Sequence, residues 1–386
     1  MAARGHQVTV LTGLPYYPEW RVHPAYRNKT WMREWRDGVE VLRSPFYVPA
    51  KVTGVKRLLL ELSFGVSCLY WWPQIFSRRW DAVLSICPPL LTVLFPLLLA
   101  KRQGIGFMLH FQDLQLEAAR TLGILRHGGL LSVLSSIDRV LLHRADMISA
   151  ISDDMLARLR GNGGAALRLN LMPNWADLET VRPGPRPDRL RKEFGFGPEI
   201  LVLYAGNMGE KQGLEVILES AAITAGRPDI RYILAGEGVT KARIMELAEQ
   251  RSLKNVLFLP LQPAERFPLL LAMGDIHLVI QKTSVSDLVM PSKLTNVLAA
   301  GRPFIATALP GTELARVTQE SQAGLLVAPE DPDALARAIL KLADGKVLRQ
   351  DMGKKGRGYA EAHLSRDIIL SRLEGMLQGL ARSNGS

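Results

Sequence analysis

Two lysines set among glycines and helix-starting residues carry the clearest chemical signal in this sequence. Lys211 stands in Ala205-Gly-Asn-Met-Gly-Glu-Lys-Gln-Gly213, after an apolar run at 200–204 and before a helix-like stretch from Leu214. Glycines ahead of a helix let backbone N–H groups approach an anion, and a lysine there adds a mobile positive charge. Lys293 stands in Pro291-Ser-Lys-Leu, where Ser292 can cap a helix that Gly301 and Pro303 end. Leu294, Val297 and Leu298 share one face of that helix. Strand-like runs flank it at 276–280, which delivers Gln281 and Lys282, and at 304–307. A strand–loop–helix–strand unit of this kind turns a helix start toward its loop, where a phosphate or diphosphate is favoured. The same pattern also describes an ordinary crossover helix. The glycine turn is neither Gly-x-Gly-x-x-Gly nor a P-loop, so the dinucleotide and ATPase readings lose support.

A second constellation lies at His110 and Asp113, delivered by the strand-like run 107–109. In open α/β sheets ligands bind at the carboxyl ends of strands, and a histidine there can exchange a proton near neutral pH. Asp113 could orient it or hold a sugar hydroxyl. Asp153 and Asp154 follow Ser152 and read as first-turn helix acids rather than a metal motif, and no metal site is expected.

The elements that must carry these residues alternate strand and helix through the chain. Its 386 residues, 47% hydrophobic and 22% charged, suit two α/β domains with real cores. Cys68 and Cys87 are far apart and lack ligand-spaced neighbours, which argues against a disulfide scaffold or zinc site and fits a reducing cytoplasm. A net charge of +11 favours anionic partners such as nucleotide phosphates or lipid headgroups. No basic tail or nucleic-acid motif is present, so nucleic acid is not an expected partner. Residues 58–76 read as one long apolar helix, with Trp71 and Trp72 near its end and Arg78-Arg79 beyond. Glu61, Gly65 and Pro73 argue against a membrane span. The helix suits either a core-packed position or an anionic membrane surface. The aromatic loop 14–20 is a rigid turn or a binding loop. Pro-rich residues 182–188 read as a stiff linker.

Pro291-Ser-Lys-Leu-x-x-x-Leu-Ala-x-Gly-Arg-Pro303 resembles the donor-binding segment of retaining GT-B glycosyltransferases of family 4. It is most similar to the branch that builds bacterial exopolysaccharide and O-antigen repeats. Leu171-Met-Pro-Asn-Trp-Ala-Asp177 resembles that family's domain-crossing segment, and His110-x-x-Asp113-Leu with Glu117 its strand-end motif. The departures are informative. Asn207 replaces an arginine, Lys211 falls one position early, Gln115-Leu116 replaces Trp-Pro, and Asn296 stands where a second glutamate is usual. An amide at 296 can bind a hydroxyl but carries no charge.

The resemblance implies an α/β GT-B fold, two Rossmann-like doubly wound parallel-sheet domains facing a cleft. The expected division is an acceptor-side domain 1–180, a linker 181–198, a nucleotide-sugar domain 199–358, and a helix at 359–386 returning to the first domain. Family members usually place a strand and a Gly-rich loop before residue 1, so the chain reads as N-terminally truncated. A doubly wound sheet without its first central strand would carry two unpaired edges. The implied activity is retaining, metal-independent hexosyl transfer from a nucleotide diphosphate sugar, with no cofactor. The acceptor would be a saccharide or a polyprenyl-diphosphate-linked one at the inner face of the cytoplasmic membrane. Lys211 would stabilise the leaving diphosphate, and His110 and Asp113 would position sugar and acceptor. Gly206, Asn207, Gly209, Gly236, Glu237, Gly238, Gln262, Lys282, Pro291, Ser292, Lys293, Leu294 and Asn296 would line the donor site. Tyr16, Tyr17 and Glu117 would face the acceptor. Two other readings stay open: an inactive binding or scaffolding partner in polysaccharide assembly, and a nucleotide-sugar epimerase, which would turn over donor without acceptor.

Overall fold

The structure is a computed structural model that describes every residue except 18–19, 51–53, 89–90, 115–127, 165–166, 286–290 and 384–386. It divides the chain into two compact units, Met1–Met172 with Leu370–Ser386, and Pro173–Ile369.

The first unit holds two sheets. One has the order β1-β3-β2, from strands β1 (Thr9–Gly13), β2 (Met32–Arg36) and β3 (Val39–Ser44). β1 and β3 are parallel, whereas β2 and β3 form an antiparallel hairpin. Its turn is Asp37-Gly38, both at positive φ (49° and 79°), the primed geometry that matches strand twist. β2 is thus an antiparallel edge strand added to an otherwise parallel α/β unit. The other sheet is parallel, in the order β4 (Ala82–Cys87), β5 (Gly106–Phe111), β6 (Met147–Ala150), β7 (Leu169–Leu171). Among the described residues β1 and β2 are the outer strands of the first sheet, and β4 and β7 those of the second.

The apolar stretch 58–76 is not one helix. It divides into α1 (Gly54–Cys68), a 3-10 turn Leu69–Trp71, and α2 (Trp72–Ser77). Pro73 lies in the first turn of α2, where its missing N–H costs nothing, and so it starts a helix instead of interrupting one. Helices α3 (Leu94–Gln103), α4 (Gly128–Arg144) and α5 (Asp153–Gly163) complete the crossovers. Ser152 caps α5 by accepting from the Met155 N–H at 3.3 Å.

The second unit is one six-stranded parallel sheet, order β10-β9-β8-β11-β12-β13. Its strands are β8 (Ile200–Ala205), β9 (Ile230–Ala235), β10 (Val256–Leu259), β11 (Ile276–Val279), β12 (Phe304–Thr307) and β13 (Gly324–Val327). These are near-continuous apolar runs because helices cover both faces of a parallel sheet. Leu201, Val202 and Leu203 in β8 are all fully buried. The helices are α6 (Asp188–Glu193), α7 (Glu215–Ile223), α8 (Lys241–Gln250), α9 (Phe267–Met273), α10 (Lys293–Ala299), α11 (Glu313–Ser321), α12 (Pro332–Asp344) and α13 (Lys346–His363).

Residues 182–193, read as linker and the stretch after it, are anchored to this unit. Arg191 is 2% exposed and donates to the carbonyls of Gly197 (2.9 Å) and Met273 (3.2 Å), and to Asp275 Oδ2 (3.3 Å). Asp275 also accepts from Arg186 Nε at 2.8 Å and from the Leu201 N–H at 3.0 Å. A buried guanidinium is tolerated only with such complete pairing. The final helix α14 begins at Arg366, and residue 359 lies inside α13. From Leu370 onward α14 belongs to the first unit, where Glu374 takes Arg4 at 2.9 Å and His6 at 2.6 Å.

Candidate active site

The strand order of the second unit reverses between β8 and β11. A crevice outside the carboxyl ends of the strands at such a reversal is where open α/β sheets take ligands. Three loops meet there through backbone hydrogen bonds. The loop after β8 and the loop after β9 are joined by hydrogen bonds from Gly206 N–H to the Ala235 carbonyl (2.9 Å) and from Met208 N–H to the Glu237 carbonyl (2.8 Å). Thr240 closes the pair by donating its N–H (3.0 Å) and its hydroxyl (2.8 Å) to the Met208 carbonyl. A Cβ on Gly236 would lie 2.0 Å from the Gly206 carbonyl oxygen, and one on Gly238 would lie 2.2 Å from that of Met208. The glycines at 236 and 238 are therefore demanded by loop-on-loop packing. The loop after β11 joins through the Lys282 N–H, which donates to the Lys211 carbonyl at 3.0 Å.

Lys293 enters the same place from α10. Its ammonium lies 3.9 Å from the Tyr204 ring centroid and donates to the Tyr204 hydroxyl oxygen at 2.7 Å. A Cβ on Gly206 would come within 3.2 Å of its Nζ and Cε. The residue is intermediate in exposure, but the space around the ammonium is filled, and desolvation pushes its pKa down to about 7. No carboxylate pairs with it among the described residues. A desolvated cation without a counter-ion is a strong attractor for an anion.

The sequence-level candidates fall into distinct groups. Gly206, Asn207, Gly209, Lys211, Gly236, Glu237, Gly238, Lys282 and Lys293 occupy or border the three joined loops. Lys211 is exposed, with no ion pair among the described residues; Lys282 lies 3.8 Å from Glu210, and Glu237 pairs with Lys241 at 2.6 Å. Ser292 does not cap α10 with its side chain. It already has helical angles (φ −58°, ψ −23°), and the turn begins one residue earlier, where the Pro291 carbonyl accepts from Leu294 N–H at 3.0 Å. Leu294 is fully buried and serves packing. Asn296 lies within α10, and the Gln262 amide donates to the Pro260 carbonyl at 3.0 Å; neither has a described contact with Lys293.

In the first unit His110 is buried with both ring nitrogens occupied, Nδ1 by Ser149 Oγ at 2.8 Å and Nε2 by Gln112 Nε2 at 2.7 Å. The Gln112 amide donates there, which leaves the ring proton on Nδ1, facing the serine. Desolvation brings the pKa of His110 down to about 4, so it is neutral at physiological pH. Asp113 follows it with partial exposure. Tyr16 packs edge-on against Trp20 (5.6 Å) and Phe46 (5.2 Å), while Tyr17 is exposed. Glu117 lies outside the described residues. Among the described residues no three His, Cys, Asp or Glu side chains converge as metal ligands. Both cysteines are buried free thiols.

Sequence reasoning missed Tyr204 and Thr240. Tyr204 is next to last in a buried strand and its one residue with a polar tip, and Thr240 follows the Gly-Glu-Gly turn; both signals were present but carried no motif.

Residues 187–359 match the family of glycosyl transferases group 1, and residues 1–175 match the glycosyl transferase 4-like domain. WcaI of Escherichia coli strain K12, named as a colanic acid biosynthesis glycosyl transferase, is 35% identical across 98% of this chain and 93% of its own length. The chain belongs to the group 1 glycosyl transferases. WbjE of Pseudomonas aeruginosa, named as a glycosyltransferase, is 28% identical over 79% of the chain and 76% of its own length. Among solved structures, sucrose-phosphate synthase from Thermosynechococcus elongatus superposes with a TM-score of 0.75 at 18% identity, covering 99% of this chain and 91% of that one. Anabaena HepE, solved in complex with UDP, gives 0.70 at 15% identity over 97% and 100%. These likenesses show the GT-B class of fold. The glycosyl transferase therefore has its group 1 match on the unit that holds Lys293 and its 4-like match on the unit that holds His110.

Proposed function

We propose that this glycosyl transferase moves a hexose from a nucleotide diphosphate sugar to a saccharide acceptor in cell-surface polysaccharide synthesis, and that the loops around Lys293 hold the donor diphosphate. The observation that carries this reading is the Lys293 ammonium, desolvated and without a carboxylate partner among the described residues, at the β8/β11 reversal. In the transfer, the bond between the anomeric carbon and the diphosphate oxygen breaks, and its electron pair stays on that oxygen. The acceptor oxygen bonds to the anomeric carbon, and its proton is released to the medium. Lys293, Lys211 and Lys282 would neutralise the charge that builds on the leaving diphosphate, a role that positioned cations can fill without a metal. HepE was solved with UDP and with UDP-glucose, and WcaI is named for colanic acid; both fit a nucleotide-sugar donor and a saccharide product. Retention of anomeric configuration completes the reading. Anomeric analysis of the product by NMR tests it, and an inverted linkage would overturn it.

A second observation bears on where the acceptor is met. Leu59, Leu62 and Val66 of α1, followed by Leu69 and Tyr70, are exposed apolar residues at helical spacing, and Trp31 stacks on Tyr70 at 4.9 Å. Arg57 and Lys29 are exposed nearby in sequence, while Glu61 is held toward its neutral form by desolvation. No helix among the described residues is long and apolar enough to cross a membrane. We read this apolar stripe with its basic flanks as a contact with an anionic membrane surface, which would bring the cytoplasmic enzyme to a lipid-linked acceptor.

A further inference from the structure

We propose that Tyr204 is a positioning residue for the transfer: its phenol oxygen holds the Lys293 ammonium beneath the Gly206 turn in the orientation that meets the donor diphosphate. The proposal rests on the assignment of Lys293 to that diphosphate and adds the group that aims it.

The direction of the hydrogen bonds is fixed by chemistry. Tyr204 lies 2.5 Å from the Asn207 carbonyl oxygen, which can only accept, so the phenol proton is used there. The phenol oxygen is then an acceptor, and Lys293 Nζ at 2.7 Å donates to it. The chain Lys293 to Tyr204 to Asn207 thus ties the cation to the glycine loop itself. Two N–H groups of the ammonium are left over after that bond, and Nζ lies close to the Gly206 turn, where a Cβ would come within 3.2 Å of it. Gly206 has φ of 147°, a conformation that side-chain-bearing residues rarely adopt, and a Cβ there would crowd the end of the lysine.

Tyr204 is enclosed on all sides. It is fully buried in β8, between strands β9 and β11. Desolvation raises its pKa, so it stays a neutral phenol. The elements packed on α10 bring no competing charge to the ammonium among the described residues. On β11, His277 faces the Leu271 carbonyl at 3.0 Å. On α13, Arg357 donates to the carbonyls of Val181 and Ala299, at the far end of α10. Lys211 and Lys282 stand on the adjoining loops, and Asp287 lies outside the described residues.

Removing the phenol oxygen takes away the one described acceptor of the ammonium and keeps the ring beneath it. Protonated Lys293 is then less favoured, and the diphosphate must draw a proton to it at lower pH. Tyr204→Phe should move the alkaline limb of diphosphate affinity down by about one pH unit, the value of one charge-assisted hydrogen bond. Affinity near pH 8 should fall about tenfold, with little change near pH 6.

The test is calorimetric titration of the full chain with UDP, GDP, dTDP and ADP, followed from pH 6 to pH 9 with the tightest binder, for wild type, Tyr204→Phe and Lys293→Met. Melting curves confirm folding of each variant. The expected result is a limb present in wild type, displaced downward in Tyr204→Phe and missing in Lys293→Met. If Lys293→Met loses the limb while Tyr204→Phe superposes on wild type, or is weakened equally at every pH, Tyr204 does not position the lysine. If Lys293→Met keeps wild-type affinity and limb, the assignment of Lys293 to the diphosphate is itself wrong.

Discussion

Replacing Lys293 with methionine should stabilise the nucleotide-free protein, and the gain should be larger in acid. Lysine ordinarily titrates at 10.5, and here desolvation brings it down to about 7. The unfolded chain therefore binds one more proton than the folded one between those values. Folded stability rises with pH across that window, so the penalty is complete below about pH 7 and vanishes above about pH 10.5. At about 1.4 kcal/mol per pH unit the full penalty would be about 5 kcal/mol. Lys293 retains intermediate exposure, and solvent screening roughly halves this, to about 2 kcal/mol. Methionine keeps the length and apolar volume of the stem and makes a favourable contact with the Tyr204 ring. For a unit of this size the variant should melt about 5 °C above wild type near pH 6 and about 2 °C above it near pH 9. Differential scanning calorimetry without nucleotide measures both. A gain that is the same at the two pH values, or a variant less stable than wild type near pH 6, would refute the reasoning.

Three further outcomes are expected. Asp275→Asn leaves the buried Arg191 guanidinium short of charge and should cost about 3 kcal/mol in urea unfolding, whereas loss of a surface pair such as Arg266–Glu193 should cost less than about 1 kcal/mol. His110 and His277 are both brought down to about 4 by desolvation. The unfolded chain binds their protons first, so stability should fall as pH drops from about 6.5 toward about 4, and His277→Gln should flatten that fall in urea midpoints. Leu62→Glu with Val66→Glu should abolish flotation with anionic vesicles and leave the melting temperature unchanged, because both side chains are exposed; flotation equal to wild type would dismiss the α1 stripe as the contact.

Much of the second unit was legible because its signals are local. Buried parallel strands such as β8 and β9 read as apolar runs closed by glycines. The end of α10 was legible too: Gly301 takes a φ of 62°, its N–H bonds to the Leu298 carbonyl at 3.1 Å, and Pro303 follows. The first unit was harder. Strand β2 mixes charge and aromatics with little apolar alternation, although Asp37-Gly38 is a hairpin signal that could have revealed it. The break at Leu69–Trp71 was hidden inside a continuous apolar stretch. Pairings across long separations left no trace in the sequence. Arg191 meets Asp275 across 84 positions, and Lys293 meets Tyr204 across 89. For that reason the sequence pointed first to Lys211, set in an obvious glycine turn, while the structure gives the more constructed environment to Lys293. His110 was legible as a strand-end histidine, but its partner Ser149, on the neighbouring strand β6, appears only once the sheet is formed.

The most direct test of the account is the melting temperature of the full chain with UDP, GDP, dTDP and ADP, for wild type beside Lys293→Met. A ligand bound only to the folded state must raise the midpoint. One of these nucleotides should raise it selectively in wild type, and the rise should be lost or much reduced in Lys293→Met. A protein that melts cooperatively and responds to none of the four, or responds equally with and without the lysine, would contradict it.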